Sequence, residues 1–436
     1  MKRVSSIVLV LLIVFSLTSC AGNTQTSATP PAASSSAPAS PSSAPPASPS
    51  NTPAASPDNT PSASPADTAP ATTAPAAPAT GVPKLAATAA QRATDAYAFI
   101  ANLHQQASAY DPTKAKYQYT LNCQDPAASA SGEFLYAWSD AVLVATKGDV
   151  NIQIGVSNAY CAGGTMTALD DMISGAVDFV FTLPCYFKGY MPLTLAIQNP
   201  ALGIKTVTAG ASAMWDLYKS SSDIQAEFAN SGETMFVWAN NPSPLSYKGN
   251  SEITDISQIK GNIRGNNGPA QLFISQIGAS VYGCPIGDVY TNVSTGVIDF
   301  LITDWHAIYS FSLADAGVLN YYLDTNVGCS AYCVMANKDV WSQIVKNGYA
   351  DEIKSVSGDY MLNWVSIWEA YEAKSRETAA ANGGDIYKPS DALAGQLQSA
   401  YDAVAQQWVA QNGAAAQGVY DKATELVNQY NAVYGQ

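Results

Sequence analysis

Short apolar runs alternate with longer amphipathic stretches over residues 117–202. The pattern predicts a strand over 117–123, a helix over 132–146, a strand over 150–156, a helix over 164–174 and a buried strand over 177–182. A second series follows, with a strand over 234–239, a helix over 270–277, a turn over 283–285, a helix over 287–295 and an apolar strand over 297–302. Strands alternating with helices at short breaks predict an α/β fold with parallel sheets covered by helices. The two series echo one another: Met172-Ile173-Ser174-Gly175-Ala176-Val177-Asp178-Phe179 corresponds to Val293-Ser294-Thr295-Gly296-Val297-Ile298-Asp299-Phe300. In both, a helix ends at a glycine, which supplies the left-handed backbone of a C-terminal cap, and a strand follows. The repetition predicts two lobes of similar topology facing one another across a cleft. From about Asn337 onward the pattern is mainly helical, with breaks at Gly348, Gly383-Gly384 and Gly413.

The N-terminal end reads differently. Met1-Lys2-Arg3, an apolar run over 7–15 and Leu17-Thr18-Ser19-Cys20 give a basic region, a short hydrophobic region and a cleavage site, and so predict a signal peptide over 1–19. The run is too short to span about 30 Å of hydrocarbon. Its Leu-x-x-Cys ending resembles a lipobox, which implies that Cys20 becomes the lipidated first residue, anchoring an extracytoplasmic protein to the cell membrane. Residues 21–83 are almost wholly Ala, Pro, Ser and Thr, with no aromatic residue and only Asp58 and Asp67 charged. Such a tract cannot build a core, and its prolines favour extended geometry, so 20–84 reads as a tether. Residues 85–436 remain for the two-lobe body, with lobe I at about 116–240 plus a later segment and lobe II at about 241–330 plus C-terminal helices.

Charge and cysteine content narrow the function. A net charge of -14 with no basic run excludes nucleic acid as a partner. With Cys20 set aside, Cys123, Cys161, Cys185, Cys284, Cys329 and Cys333 are left, an even number that permits disulfides without requiring them, Cys329–Cys333 being the pair considered. Only His104 and His306 are available, no metal-binding spacing occurs, and there is no Gly-x-Ser-x-Gly or Ser/His/Asp set. Neither an enzyme nor a resident metal or cofactor is expected.

One residue stands out. Beyond the signal the chain has three arginines, Arg92, Arg264 and Arg376, and Arg264 is the one Lys or Arg in 261–337. Arg92 and Arg376 fall in polar helical stretches and are expected to be solvated. Arg264 sits in Gly261-Asn262-Ile263-Arg264-Gly265, in apolar surroundings. A guanidinium presents a planar fork matched to a carboxylate, so Arg264 either holds an organic acid or pairs with an internal Asp such as Asp299 or Asp304.

The segment Asp255-Ile256-Ser257-Gln258-Ile259-Lys260-Gly261-Asn262-Ile263-Arg264, then Ile277-Gly278-Ala279, then Val289-Tyr290 and Gly296-Val297-Ile298-Asp299, resembles in order and spacing the signature of the DctP-type TRAP-transporter solute-binding proteins. The likeness covers most of 117–345, and the stretch from Asn320-Tyr321-Tyr322 to Asn337-Lys338 and Trp341 looks like the branch that includes α-keto-acid binders. The resemblance implies a periplasmic-binding-protein-like fold whose lobes close over the ligand, with Arg264 clamping its carboxylate. It also implies membrane transporter subunits as partners. Three departures matter. That branch often places an acidic residue and a tryptophan, serving a metal, where this chain has Ile302 and Thr303, although Asp304 and Trp305 come just after. Phe300 stands where the family usually has Gly. Asn240-Asn241-Pro242-Ser243-Pro244 stands where many relatives carry a second basic residue, which makes a monocarboxylate the expected ligand.

Open α/β sheets bind ligands at strand ends facing the cleft. The wall residues expected there are Gln124, Thr182, Tyr186, Trp238, Asn240, Thr303, Asp304 and Trp305, with Trp238 equally suited to a core. The expected function is capture of a small organic carboxylate for a TRAP-type transporter. The alternative, suggested by the long tether, is a ligand-sensing or surface-interaction lipoprotein on the same fold.

Overall fold

The computed structural model describes residues 84–187, 189–265 and 268–436, so the expected signal peptide, Cys20 and all of the tether but Lys84 lie outside the described residues. Eleven strands form two sheets. They are β1 (Tyr117–Asn122), β2 (Val150–Gly155), β3 (Phe179–Thr182), β4 (Glu233–Ala239), β5 (Leu245–Tyr247), β6 (Asn262–Arg264), β7 (Ser280–Tyr282), β8 (Phe300–Ile302), β9 (Tyr321–Leu323), β10 (Ala331–Ala336) and β11 (Asp385–Tyr387). The sheet of the first lobe has the order β2-β1-β3-β10-β4, and that of the second β11-β9-β5-β8-β6-β7. β3 and β10 are buried at every position, as continuous apolar strands covered on both faces must be.

The first lobe keeps the parallel core that the alternation predicts, β1 pairing in parallel with β2 and β3; in the second, β6 pairs in parallel with β7 and β8, of which only β8 was expected as a strand, and the expected strand over 234–239 joins the first lobe's sheet as β4. Each also takes in one antiparallel strand, β10 in the first lobe and β5 in the second. These two strands enter from the opposite lobe through short crossovers, 240–244 and 324–330, with no room for a helix that would restore a parallel direction. The crossovers lie side by side: Asn240 N donates to Ser330 O at 2.8 Å, Ser243 N to Gly328 O at 2.8 Å and Val327 N to Ser243 O at 3.0 Å. A third connection is the helix Ile367–Ala381, whose Ile367 and Trp368 pack in the first lobe's core and whose Ala379 packs in the second's. Asn241 Nδ2 donates to Glu372 on this helix, and Arg376 bridges Glu372 to Asp324 at 2.9 and 2.8 Å. All three connections are thereby tied together.

The echoed segments do the same work in each lobe. Gly175 and Gly296 take positive φ, 81° and 73°, at the ends of Ala168–Ile173 and Val289–Ser294. The aspartates after them hold the neighbouring strand: Asp178 Oδ2 accepts from Thr120 N at 2.8 Å, and Asp299 Oδ2 from Asn262 N at 2.7 Å. Phe300, at the position usually Gly in the family, packs on the Tyr247 ring at 5.2 Å. The C-terminal helices divide between the lobes. Ala414–Tyr434 packs on Val207–Ser220 of the first, and Asp391–Gln411 on Pro269–Gln276 of the second.

The expectation that Arg92 and Arg376 are solvated is wrong. Arg92 is 2% exposed and pairs with Glu369 at 3.1 Å, while its Nη1 donates to Ala86 O and Ala87 O and its Nη2 to Tyr434 O. Polar neighbours in sequence misled: Arg92 lies on the buried face of the helix Ala89–Ala107, and its counter-ion is supplied 277 residues away. Arg376 is half-buried over the Trp305 ring, 4.3 Å from its centroid. None of the six cysteines described is in a disulfide; Cys333 Sγ faces Thr182 O and Cys329 Sγ faces Ile197 O. No helix among the described residues is long and apolar enough to cross a membrane.

Candidate functional site

Where strand ends of the two sheets meet, a cavity is lined by Gln124, Asp125, Leu183, Tyr186, Arg264, Ile286, Thr303, Asp304, His306, Ala307, Phe311, Ser330 and Tyr332. The first lobe contributes the residues following β1 and β3 and the start of β10. The second contributes the last residue of β6 and those following β8. The cavity has a volume of about 10 Å³. That is room for one water, so an organic acid enters only as walls or lobes move apart.

Arg264 is brought here by the backbone before it. Gly261 has φ 91°, and a Cβ on it would lie 2.2 Å from Asp299 Oδ2, the atom that accepts Asn262 N. A side chain at 261 would therefore displace the carboxylate that holds the start of β6. The Arg264 side chain is 1% exposed. Its Nε and Nη2 reach Cys284 O at 3.4 Å, Nη2 reaches Tyr186 Oη at 3.4 Å, and Nη1 has no partner. Bonds of that length are weak. Asp299 is committed to Asn262, Asp304 caps the helix Trp305–Ser310 through Ala307 N at 3.1 Å, and among the described residues no carboxylate lies within ion-pair distance of the guanidinium. A buried guanidinium without a counter-ion is costly.

The wall also carries His306, held between two carboxylates. Its Nδ1 contacts Asp304 Oδ1, and its Nε2 lies 3.9 Å from Asp125 Oδ2. Burial pushes the imidazole down, but Asp304, then Asp125, outweigh it and raise its pKa to about 9, so the ring is an imidazolium at neutral pH. Burial pushes the Asp304 carboxyl up, and the His306 charge more than offsets this, holding it below the usual range. Asp304 Oδ2 also accepts from Ser330 Oγ at 3.4 Å and Tyr332 Oη at 3.3 Å, and Asp125 Oδ2 from Ser131 Oγ at 2.5 Å. Burial lifts the Tyr186 hydroxyl to about 12, against the pull of Arg264, so it faces the cavity as a neutral hydroxyl. Among the described residues no group of three or more His, Cys, Asp or Glu side chains is placed to hold a metal ion.

Of the residues expected in the wall, Gln124, Tyr186, Arg264, Thr303 and Asp304 line the cavity, while Thr182, Trp238, Asn240 and Trp305 do not. The strand period explains Thr182. Phe181 and Leu183 share one core and Thr182 points to the other face. Trp238 stands behind the wall, its ring 4.8 Å from Phe134 and 5.5 Å from Tyr332. Asn240 lies behind His306, its Nδ2 3.1 Å from the imidazole Nδ1. Trp305 turns away from the cavity to stack on Tyr322 at 5.4 Å. Asp125, His306, Ser330 and Tyr332 are the polar wall residues that sequence reasoning missed. Two signals pointed to them: Asp125 adjoins Gln124 at a strand end, and His306 is one of two histidines and follows Asp304 by two positions.

The profile of the family described as bacterial extracellular solute-binding protein, family 7 (DctP), matches residues 122–412. A relative, the "Outer membrane transporter protein TsaT" of Comamonas testosteroni, is 22% identical over 289 residues, 62% of this chain and 79% of that protein. Three solved structures share the fold. One is a marine metagenome TRAP solute-binding protein specific for aromatic acid ligands, from an unidentified microbe, in complex with 3-hydroxybenzoate. It has TM-score 0.66 and 19% identity, with 73% of this chain and 100% of that chain covered. A TRAP solute-binding protein from Rhodoferax ferrireducens with copurified benzoate has TM-score 0.65 and 19% identity, with 72% and 99% covered. One from Bordetella bronchiseptica with bound mandelate has TM-score 0.64 and 21% identity, again with 72% and 99% covered. The profile match runs from the last residue of β1 through the helix Asp391–Gln411, taking in the whole of the cavity and its walls, and so makes this chain a member of family 7, the DctP-type solute-binding proteins of TRAP transporters.

Proposed function

We propose that the chain captures a small organic monocarboxylate through Arg264 and delivers it to the membrane subunits of a TRAP-type transporter, held at the membrane by lipidated Cys20 and the tether over 20–84. The observation that carries this reading is the buried Arg264 guanidinium, with Nη1 unpartnered and no carboxylate beside it. A ligand carboxylate supplies the missing counter-ion. The count of charges favours one carboxylate rather than two, because the remaining cation of the wall, His306, is held by Asp304 and Asp125, and a second carboxylate would face both. The Leu183, Ile286 and Phe311 side chains and the Tyr186 and Tyr332 rings suit a flat apolar body. The benzoate, hydroxybenzoate and mandelate in the similar structures are aromatic monocarboxylates of this kind. Closure follows if the ligand binds more tightly to the closed form, its contacts spanning Arg264 of one lobe and the β1 and β3 ends of the other.

A thermal-shift screen of mono- and dicarboxylates on the chain from Cys20 onward, with Arg264→Ala alongside, tests the reading. At a hundred times its dissociation constant a true ligand adds about 2.7 kcal/mol of stability. Monocarboxylates are expected to raise the melting temperature of the native sequence and leave Arg264→Ala unmoved. A dicarboxylate preference, or a shift retained in Arg264→Ala, would remove the monocarboxylate or the arginine from the account. If no acid shifts folded protein freed of copurified ligand, a sensing or surface-interaction role on the same fold takes its place.

A further inference from the structure

Besides Arg264 Nη1, two other atoms of cavity-lining side chains are buried without a partner, Gln124 Oε1 and His306 Nε2. We propose that these two form a hydroxyl subsite, so that the ligand is a hydroxylated monocarboxylate whose carboxylate sits on Arg264 and whose hydroxyl bridges Gln124 and His306. The inference rests on the carboxylate reading of Arg264 and specifies the rest of the molecule.

Donor and acceptor inventory decides the chemistry. Gln124 Oε1 only accepts, so neither a carboxylate nor a keto oxygen satisfies it; the ligand must bring an O–H or N–H. His306 Nε2 needs the opposite. With Nδ1 against Asp304 and Nε2 on the side of Asp125, the ring carries a proton at both nitrogens, and Nε2–H donates. At 3.9 Å, Asp125 Oδ2 is too far to accept that proton in a normal hydrogen bond. A hydroxyl answers both demands with one atom, accepting from His306 and donating to Gln124. An ammonium supplies donors but no acceptor, and it would set a cation beside the imidazolium. The Tyr332 and Trp368 rings, 6.1 and 6.0 Å from the imidazole, hold His306 in place from behind.

The test is titration calorimetry on the chain from Cys20 onward, with ligand series that differ by one group: propionate, lactate, pyruvate and alanine; phenylacetate, mandelate, phenylglyoxylate and phenylglycine; and benzoate with 3-hydroxybenzoate. In at least one series the hydroxy acid is expected to bind about tenfold or more tighter than its unsubstituted, keto and amino counterparts. Gln124→Met, which keeps the side chain's length and removes its acceptor, is expected to bring the hydroxy and unsubstituted acids within about threefold of each other. His306→Gln, folded by circular dichroism, should do the same. The subsite is overturned if the unsubstituted acid binds as well as the hydroxy acid in every series, if a keto or amino acid is preferred, or if Gln124→Met keeps the preference. Equal binding of both acids leaves the carboxylate reading standing, whereas no binding by any acid of any series removes that reading and the subsite together.

Discussion

Replacing Arg264 with Met is expected to stabilise the ligand-free protein while abolishing binding. The side chain is fully enclosed, yet its contacts are three bonds of 3.4 Å to Cys284 O and Tyr186 Oη, and Nη1 has none. Exchanging buried charged groups for apolar ones of similar volume stabilises proteins by about 1–4 kcal/mol even where the charges were paired. Against this stands the loss of a partner for the Cys284 carbonyl, about 1 kcal/mol, which leaves a net gain of about 0–3 kcal/mol. For a folded body of about 350 residues, an unfolding entropy of about 2.1 cal/mol/K per residue converts this to a rise in Tm of up to about 4 °C. Calorimetric melting of both proteins, after denaturation, extraction and refolding to strip copurified acid, measures it. In the presence of a bound acid the order should reverse, because the native sequence alone gains from the ligand. A ligand-free Arg264→Met protein that melts several degrees below the native one would mean that the guanidinium is a satisfied structural group, and the argument from its missing counter-ion would fail.

Three further outcomes follow from the same geometry. Arg92→Ala leaves Glu369 buried without its ion-pair partner and releases the segment at Ala86-Ala87 and the C-terminal Tyr434, so urea unfolding at neutral pH should show a loss of about 3–5 kcal/mol; a loss below about 1 kcal/mol would show the pair to be solvated. His306 titrates higher folded than unfolded, so its contribution is full below about pH 6.5 and disappears as pH rises through about 9. Chemical denaturation should therefore show the native sequence losing, over that window, an advantage over His306→Gln of up to about 3 kcal/mol, and parallel pH profiles for the two would refute it. Gly261→Ala forces a Cβ onto the Asp299 carboxylate at a backbone angle that L side chains rarely adopt, costing about 1–3 kcal/mol. It should also weaken acid binding, because the same backbone aims Arg264; native affinity in this variant would show the glycine to be incidental.

The strands β1 to β4 and β8 and the helices between them were legible because each is a local pattern, an alternation or an apolar run, with Gly175 and Gly296 as stop signals; the parallel strands β6 and β7, three residues each, are too short to show one. The antiparallel strands β5 and β10 were not legible, since their direction comes from crossing between lobes and leaves no periodicity in the chain. Arg264 was legible by scarcity, one cation in a long apolar region. The partner of Arg92 was invisible, because a buried ion pair between residues 277 apart has no local signature. Trp238 and Trp305 illustrate the limit at strand ends: sequence places them beside the cleft, but only side-chain packing on Tyr332 and Tyr322 decides which way they face. His306 went unseen because histidines were weighed as metal ligands and not as cations made by two neighbouring carboxylates.

The distribution of charge pairing across the fold separates structural from binding groups. Arg92 has Glu369 and the backbone oxygens of Ala86, Ala87 and Tyr434; Arg376 has Asp324 and Glu372; His306 has Asp304 close by. Each of these cations reinforces a junction: Arg92 joins the first helix to the lobe-spanning one, and Arg376 ties that helix to the 324–330 crossover. Arg264 joins nothing in this way, although it is as deeply buried as Arg92. In a chain with so few cations, leaving one of them enclosed and unpaired gives up stability that an apolar residue would supply, and a ligand recovers that loss only if it brings an anion. An anion that reaches the residues following β1 and β3, as proposed, would put its binding energy on the separation of the lobes, and the polar network through Asn241, Glu372, Arg376 and Asp324 ties the three connections together. The unpaired arginine is therefore the expected source of both affinity and closure, and abolishing one without the other by mutation at 264 alone is not expected.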